Sequence, residues 1–397
     1  GPMRNVVENL QWLASLAPTR LTGTEDERKV HDAIAERMKS FGYTTEFLAF
    51  RFPRHIYGSL ALHFGLAVIA LAAGPAVPRT AATVLLLLAL SFFSEAERRQ
   101  HLLRLIWPQI DSRNLLATMP IANGAPTRRI VFVAHVDSAF TGILFRPKVI
   151  KIVGAPPPKF LPFLQKQLLL PFVTLLGGAA YLMTHARGPM ALWPLVLLAI
   201  PSAIVAFFNA EIVLRNQPVP GAADNLSGCA TQLTLAEMWA EKARVSGVEV
   251  VFAFTGCEEA GTGGALHLAR AMKSRWKPEE TDVFILDTLS NGTLFQLEQG
   301  ELFRRAIPAE LSALVDGAAR AADLPVPPAY VIPAGATDAL PFLVAGYRAV
   351  ALTCIDTSCH TPRNYHHPND TADRVDPVQL EASMRLVSAL LERAISS

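Results

Sequence analysis

The sequence predicts an α/β protein whose central sheet is mixed, mostly parallel and flanked by helices on both faces, with two inserted transmembrane helical hairpins. Short apolar segments without polar alternation take turns with helical patterns along most of the chain. That arrangement is typical of a sheet covered by helices on both sides. Four longer apolar runs, grouped in two pairs, interrupt it. They account for a chain that is 51% hydrophobic and only 18% charged.

The first amphipathic helix is predicted to start at a capping box formed by Thr24 and Glu27 and to stop at Gly42. Its apolar face carries Val30, Ile34 and Met38. A strand ending near Arg51 follows. Further apolar strands are predicted at 115–118, 129–134, 249–254, 282–287 and 347–353, and further helices at 226–243, 300–322 and 376–394.

The four apolar runs cover 56–77, 80–94, 168–184 and 189–208. A helix needs about 20 apolar residues to cross the roughly 30 Å of bilayer hydrocarbon. The first and fourth runs reach this length, the third nearly does, and the second is short. The runs are apolar on every face, which favours membrane hairpins over the alternative of core helices in a large soluble domain. His63, inside the first run, is a polar exception without a visible partner.

Domain boundaries follow from these runs. The α/β domain is predicted to comprise residues 3–55, 112–150 and 212–397. The first membrane hairpin comprises 56–95 and the second 167–209. Because each hairpin leaves the α/β domain and returns to it, an even number of crossings keeps that domain on one side of the membrane.

Lys and Arg residues cluster where the hairpins join the α/β domain. They are Arg51, Arg54, Arg98, Arg99 and Arg104 at the first hairpin, and Lys148, Lys151, Lys159, Lys166 and Arg215 at the second. The far turns carry Arg79 and Arg187 alone. Basic residues next to membrane spans stay in the cytoplasm, so we expect the α/β domain there. The N-terminal segment has no signal-peptide pattern, which agrees with this side. The alternative is two re-entrant hairpins lying in one leaflet.

Charge and cysteine content exclude other classes. The net charge of +2 and the absence of any Lys/Arg tract argue against a nucleic-acid partner. The four cysteines show neither C-x-x-C spacing nor the density of a disulfide scaffold. Cys354 and Cys359 are close enough in sequence to pair in an oxidising compartment, and this stays open.

Polar residues follow several of the predicted strands. They are His135 and Asp137 after 129–134, Asp224 in a glycine-flanked turn, Glu258 and Glu259 after 249–254, Asp287 at the end of 282–287, and His366 and His367 in a late loop. Open α/β sheets bind their ligands at the carboxyl ends of the strands. Two imidazoles with several carboxylates suit zinc. The sequence therefore predicts a zinc site at this edge of the sheet.

In chain order, these residues lie in the motifs His-x-Asp, Gly-Ala-x-Asp-Asn-x-Ser-Gly, Glu-Glu and Tyr-His-x-Pro-x-Asp-Thr. The combination resembles the zinc aminopeptidase family of clan MH metallopeptidases. That family includes bacterial leucyl aminopeptidases, plasma glutamate carboxypeptidase and, more distantly, glutaminyl cyclases. The likeness covers roughly 5–52, 112–140 and 217–395 and leaves both apolar inserts unmatched. It implies a phosphorylase/hydrolase-like fold, a peptide substrate and two zinc ions per chain.

The resemblance also implies metal ligands. His135 and Asp287 would bind one zinc, Glu259 and His366 would bind the second, and Asp224 would bridge both. Two zinc ions about 3.5–4 Å apart lower the pKa of a water molecule and hold both the attacking and the carbonyl oxygen.

Other roles follow from the same resemblance. Glu258 would be the general base, and Asp137 would hydrogen-bond the far nitrogen of His135. The segment with Thr337 and Asp338 resembles part of the family's substrate pocket, although a capped helix start explains it equally well.

The late histidine has two candidates. "YHHPNDT" selects His366 and puts His367 in the position that the family fills with Thr. "CHTPRN" offers His360, but without the Asp-Thr that follows Asn369.

The sequence thus predicts a membrane-embedded di-zinc aminopeptidase. One alternative is a glutaminyl cyclase with a single zinc, against which the presence of His135, a ligand of the first zinc, argues. Another is a non-catalytic receptor or scaffold, although no expected ligand is missing. Cleavage inside a peptide or from its C-terminus also stays open, because the metal site alone does not select the end.

Overall fold

A mixed sheet lies at the centre of the molecule. The computed structural model describes residues 5–121, 123–158, 160–161, 165–242 and 244–397, and within them the sheet has eight strands. They are β1 (Thr44–Pro53), β2 (Gln109–Met119), β3 (Arg128–His135), β4 (Val248–Thr255), β5 (Thr281–Leu286), β6 (Thr293–Glu298), β7 (Ala329–Val331) and β8 (Arg348–Ile355). Lys159 and the first four residues lie outside the described residues.

The strand order is β1-β2-β4-β3-β5-β8-β6-β7. The central strands β4, β3, β5 and β8 are parallel. β1 pairs antiparallel with β2, β2 with β4 and β6 with β8, whereas β7 pairs parallel with β6. In the parallel part, His135 at the end of β3 pairs with Thr255 at the end of β4. The carboxyl ends of the central strands therefore share one edge, and the prediction of a mixed, mostly parallel α/β sheet is confirmed.

The described residues also form the α-helices of the structure. They are α1 (Val6–Leu16), α2 (Glu25–Ser40), α3 (Ile56–Ala73), α4 (Pro78–Arg98), α5 (Pro147–Val153), α6 (Leu169–Thr184), α7 (Trp193–Arg215), α8 (Ser227–Ala240), α9 (Gly263–Ala271), α10 (Ala309–Ala321), α11 (Ala339–Val344) and α12 (Pro377–Ser396). Apolar residues of α1, α2, α8, α10 and α12 pack on one face of the sheet, and those of α9 and α11 pack on the other. The two layers explain why the strands read as continuous apolar segments.

Helices α3 and α4 lie between β1 and β2, and α6 and α7 lie between β3 and α8. Together they form the apolar bundle, in which α3 packs against α7 and α4 against α6. Phe64, Phe92 and Leu175 are buried in its interior. Helices α3, α4 and α7 are long and apolar enough to cross a membrane, by length and composition only, whereas α6 has 16 residues. The short run at 80–94 thus lies within a helix of 21 residues.

His63 has its partners inside the first hairpin. Its Nε2 lies 2.8 Å from the hydroxyl oxygen of Ser91, and its Nδ1 lies 2.8 Å from the carbonyl oxygen of Ser59. The Ser59 hydroxyl in turn donates to the carboxylate of Glu95 at 2.8 Å. The polar exception in the sequence is therefore a hydrogen-bonded residue between two helices.

The predicted helix at 300–322 is shorter than expected, because it starts only at Ala309 after Pro308. Before it, the backbone N–H groups of Leu302 and Phe303 donate to the carboxylate of Glu97 on α4. Those donors hold the segment against the hairpin instead of starting a helix. Strands β6 and β7 were not predicted. All four cysteines are free, so Cys354 and Cys359 form no bridge in this structure.

Candidate metal centre

The shared edge of the parallel strands brings the predicted site residues together. His135 is the last residue of β3, and Asp287 directly follows β5. The pair Glu258 and Glu259 lies in the turn after β4. Asp224 lies in the turn that leads into α8, and all these side chains are buried or nearly so.

The carboxylate of Asp224 lies between two imidazole rings. Its Oδ1 is 3.1 Å from Nε2 of His135, and its Oδ2 is 3.0 Å from Nε2 of His366. The two rings come from segments that are more than two hundred residues apart in the sequence. One carboxylate therefore faces both nitrogens with a different oxygen each, as a bridging ligand between two cations does.

The adjacent glutamates face different histidines. Oε2 of Glu258 lies 3.6 Å from Nε2 of His135, whereas Oε2 of Glu259 lies 3.2 Å from Nε2 of His366. Oδ1 of Asp287 lies 3.7 Å from Nε2 of His135. Two neighbouring acids in one turn thus serve two separate halves of the site.

Asp137 holds the turn that carries both glutamates. Its carboxylate accepts hydrogen bonds from the backbone N–H groups of Glu258 at 3.1 Å and Glu259 at 2.9 Å, and from the hydroxyl of Thr22 at 3.0 Å. Nδ1 of His135 lies 3.0 Å from the backbone carbonyl oxygen of Asp137 and 3.5 Å from its carboxylate. The nearer partner of His135 is therefore the carbonyl, and the carboxylate chiefly positions the Glu258–Glu259 turn.

Two supporting residues did not appear among the sequence predictions. The carboxylate of Asp370 accepts from the backbone N–H groups of Ala223 at 2.8 Å and Asp224 at 3.1 Å. The guanidinium of Arg20, fully buried, donates to carbonyl oxygens of the β3–α5 connection and of the turn before Asp224. Asp370 is part of the Tyr-His-x-Pro-x-Asp-Thr motif and could have been found there. Arg20 lies in no motif.

Burial disfavours the charged form of every group in the site. Against that effect, Glu259 and Asp224 raise the pKa of His366 to about 10, and carboxylates led by Glu258 raise the pKa of His135 well above its ordinary value. The two imidazoles beside it outweigh burial and lower the pKa of Asp224. Burial, together with neighbouring carboxylates, raises the pKa of Glu259 to about 8 and that of Glu258 well above its usual range. Without metal, protons and ion pairs balance the charges of this site.

The donor set fits zinc. Three groups of ligand atoms lie within 4.8 Å of one another in the described residues: His135 with Asp224 and Asp287, Asp224 with Glu259 and His366, and His135 with Glu258 and Glu259. Among these atoms, Nε2 of His135 and Oε1 of Glu259 are buried without a hydrogen bond of acceptable geometry to any described residue. A cation would satisfy both atoms, and mixed nitrogen and oxygen donors are a zinc-like set.

The remaining candidates lie outside these groups. Within the described residues, His360 belongs to none of them, whereas His366 belongs to one.

The carboxylate of Asp338 accepts from the hydroxyl of Thr255 at 2.6 Å, and burial raises the pKa of Asp338 to about 7. The hydroxyl of Thr337 accepts from the N–H of Ala339, where α11 begins. The N-cap residue of α11 is Asp338, and its side chain makes no capping hydrogen bond. A substrate role for both residues stays a prediction.

Comparisons with known proteins agree with this fold. A family model described as peptidase family M28 matches residues 205–391. No curated protein gives a match. The findings confirm the resemblance to the zinc aminopeptidases and glutaminyl cyclases of peptidase family M28.

Solved structures share the fold at low sequence identity. A zinc aminopeptidase from Bacillus subtilis has a TM-score of 0.58 at 14% identity, covering 98% of this chain and 94% of its own. Glutaminyl cyclase from Porphyromonas gingivalis has a TM-score of 0.57 at 13% identity, covering 98% and 96%. An aminopeptidase from Aneurinibacillus sp. strain AM-1 has a TM-score of 0.56 at 16% identity, covering 98% and 93%. These structural similarities show that the fold is shared.

Zinc binding to the metal-free protein should release protons at pH 7. His135 and His366 must each lose a proton to become ligands, and Glu259, with a pKa of about 8, is mostly protonated at pH 7 and must lose another. Zinc affinity should therefore rise as the pH is raised above 7. Calorimetric titration in buffers of different ionisation enthalpy measures the release. Replacing His360 with Ala should leave the number of released protons unchanged. Equal binding heats in all buffers would mean that no proton is released, and they would contradict the assignment of His135 and His366 as ligands.

Proposed function

We propose that this protein is a membrane-embedded di-zinc metallopeptidase that removes N-terminal residues from peptides. The observation that carries the proposal is the placement of Asp224 between His135 and His366, with one further carboxylate beside each imidazole. Asp287 stands on the His135 side and Glu259 on the His366 side. The fold shared with aminopeptidases supports the choice of reaction.

In this proposal, His135 and Asp287 hold one zinc, Glu259 and His366 hold the other, and Asp224 contacts both. Bound there, the ions would polarise the scissile carbonyl and lower the pKa of a water molecule. The protein's own contribution is to fix the five ligands at buried positions: His135, Glu259 and Asp287 at or just after strand ends, Asp224 in the turn before α8, and His366 in the late loop.

Glu258 is then the general base. It is buried, its backbone N–H is held by Asp137, and its carboxylate points to the His135 side of the site. Burial, with Glu259 and Asp287 nearby, raises its pKa well above the ordinary value. Beside the two ions, the carboxylate of Glu258 would take a proton from the attacking water and return it to the leaving amine.

Glutaminyl cyclases share the fold, so cyclisation of N-terminal glutamine is a second candidate reaction. A glutaminyl cyclase with a single zinc would need only one of the ligand groups. The presence of His135 and Asp287 beside the bridging Asp224 supplies a second group and favours hydrolysis. An assay that compares release of an N-terminal residue with loss of ammonia from N-terminal glutamine distinguishes the two.

We also propose that the apolar bundle lies in a bilayer and that the domain division follows the boundaries derived from the apolar runs. Large apolar side chains are exposed on all four bundle helices, among them Ile69, Leu86, Leu87, Leu90, Val173, Met183, Trp193, Val196, Ile204 and Phe207. Soluble monomers rarely expose so much apolar surface. With basic residues at the base of both hairpins, the catalytic domain faces the cytoplasm. This location favours short hydrophobic or membrane-derived peptides as substrates.

The roles of the adjacent glutamates are separable by mutation. Glu258→Gln should keep near-normal zinc but lose turnover by about 100- to 10,000-fold, because it removes a proton acceptor and no ligand. Glu259→Gln should lose zinc from the His366 side. Zinc content and release of N-terminal residues are measured on the same samples.

Glu279→Gln, at an exposed position before β5, is the matched control and should change neither quantity. Equal zinc loss in Glu258→Gln and Glu259→Gln, or an active Glu258→Gln enzyme, would overturn the division of roles.

Cysteine labelling tests the membrane arrangement. In a Cys359→Ser background, which removes the partly exposed cysteine, single cysteines replace Asn123, Arg79 or Arg187. A membrane-impermeant reagent on intact cells should miss position 123 and label 79 and 187 in the far turns. Labelling at 123 contradicts the cytoplasmic side, and protection of both turns favours hairpins within one leaflet.

A further inference from the structure

The first helical hairpin reaches the candidate metal centre through Tyr57. This residue is the second of α3, and only 8% of it is exposed. Its hydroxyl oxygen lies 3.3 Å from Nδ1 of His366. A side chain from the apolar insert therefore contacts a ring that faces Asp224 and Glu259.

The orientation of His366 decides what this contact does. Nε2 faces the two carboxylates, so Nε2 is the nitrogen turned toward a metal. In a neutral ring that binds metal through Nε2, the proton sits on Nδ1 and donates to the oxygen of Tyr57. On the other side of the site, Nδ1 of His135 has the carbonyl oxygen of Asp137 at 3.0 Å. Each metal-facing imidazole thus has a partner for its far nitrogen.

We propose that Tyr57 is a positioning residue that orients His366 for zinc and makes the first hairpin part of the metal centre. The inference rests on the proposed zinc binding. Partners of this kind fix the tautomer and ring orientation of a metal-binding histidine. Here the partner belongs to the insert and not to the α/β domain that supplies the ligands.

Neighbouring aromatic rings keep Tyr57 and His366 in place. Phe145 packs edge-on against Tyr57 at 6.4 Å and against His366 at 4.6 Å between ring centroids. A side chain could not replace Gly58, because its Cβ would lie 2.6 Å from the ring of Trp107. The first turn of α3 therefore sits directly against Trp107.

A second connection ties the same hairpin to the Glu258–Glu259 turn. Glu95 of α4 forms a buried ion pair with Arg104 at 2.6 Å. Arg104 donates to the carbonyl oxygen of Ala260 at 2.7 Å, one residue after Glu259. The hairpin thus contacts His366 directly through Tyr57, and it reaches the Glu258–Glu259 turn through the ion pair of Glu95 with Arg104.

Tyr57→Phe tests the proposal, because it removes the hydroxyl and keeps the ring that packs on Phe145. Zinc affinity of the full chain is measured by competition with a chromophoric chelator. One of two zinc equivalents should bind about 10- to 100-fold more weakly, and the other as in the wild type. With cobalt(II) in place of zinc, the visible absorption of the weakened site should also change.

Tyr347→Phe is the matched control, since it removes a buried phenol that donates to the carbonyl oxygen of Trp276 at 2.7 Å, outside the metal groups. It should leave both zinc affinities unchanged. Wild-type affinities in Tyr57→Phe, or equal weakening in both variants, would overturn the positioning role.

The zinc count of the wild type separates this inference from the proposed function. One zinc in the wild type rejects the di-zinc hydrolase, while its weakening in Tyr57→Phe still supports the positioning role. A wild type that binds no zinc contradicts both.

Discussion

The contact on which the site depends is the buried carboxylate of Asp224, with one oxygen about 3 Å from each imidazole. Burying a charge is costly unless it is paired and hydrogen-bonded. His135 and His366 meet this need by pairing with the carboxylate, while Asp370 fixes the backbone of Asp224 by accepting from its N–H. The end of β3, the turn before α8 and the late loop are thereby held at one point. Loss of the contacts of Asp224 with the two imidazoles would disrupt both proposed zinc sites at once.

The inserts are attached beside that point. Tyr57 near the start of α3, Ile212 near the end of α7, and Phe140 and Phe145 between β3 and α5 form one buried apolar cluster. The bases of both hairpins therefore meet next to His366. In the proposed arrangement, a substrate that leaves the bilayer along these helices arrives at an apolar wall adjoining the metal ligands. The bundle then acts as part of the active-site framework as well as an anchor.

Local chemistry made much of this predictable. Continuous apolar segments located the central strands, and polar residues at their ends located the ligand candidates, because parallel strands align their carboxyl ends. Strand β6 was missed since it lies beyond β8, away from the parallel centre, and its sequence mixes polar with apolar residues. Glu97 could not be foreseen as the acceptor that holds an irregular segment at Leu302 in place of a helix. The contact of Tyr57 with His366 could not be predicted either, because contacts between distant segments leave no pattern in a single apolar run.

The central claim is that this site holds two zinc ions that share Asp224. Anomalous diffraction at the zinc absorption edge, from crystals of the full chain, tests it most directly. We predict two peaks about 3.5–4 Å apart, one beside His135 and Asp287 and the other beside Glu259 and His366. A single peak, or peaks away from Asp224, would contradict the account.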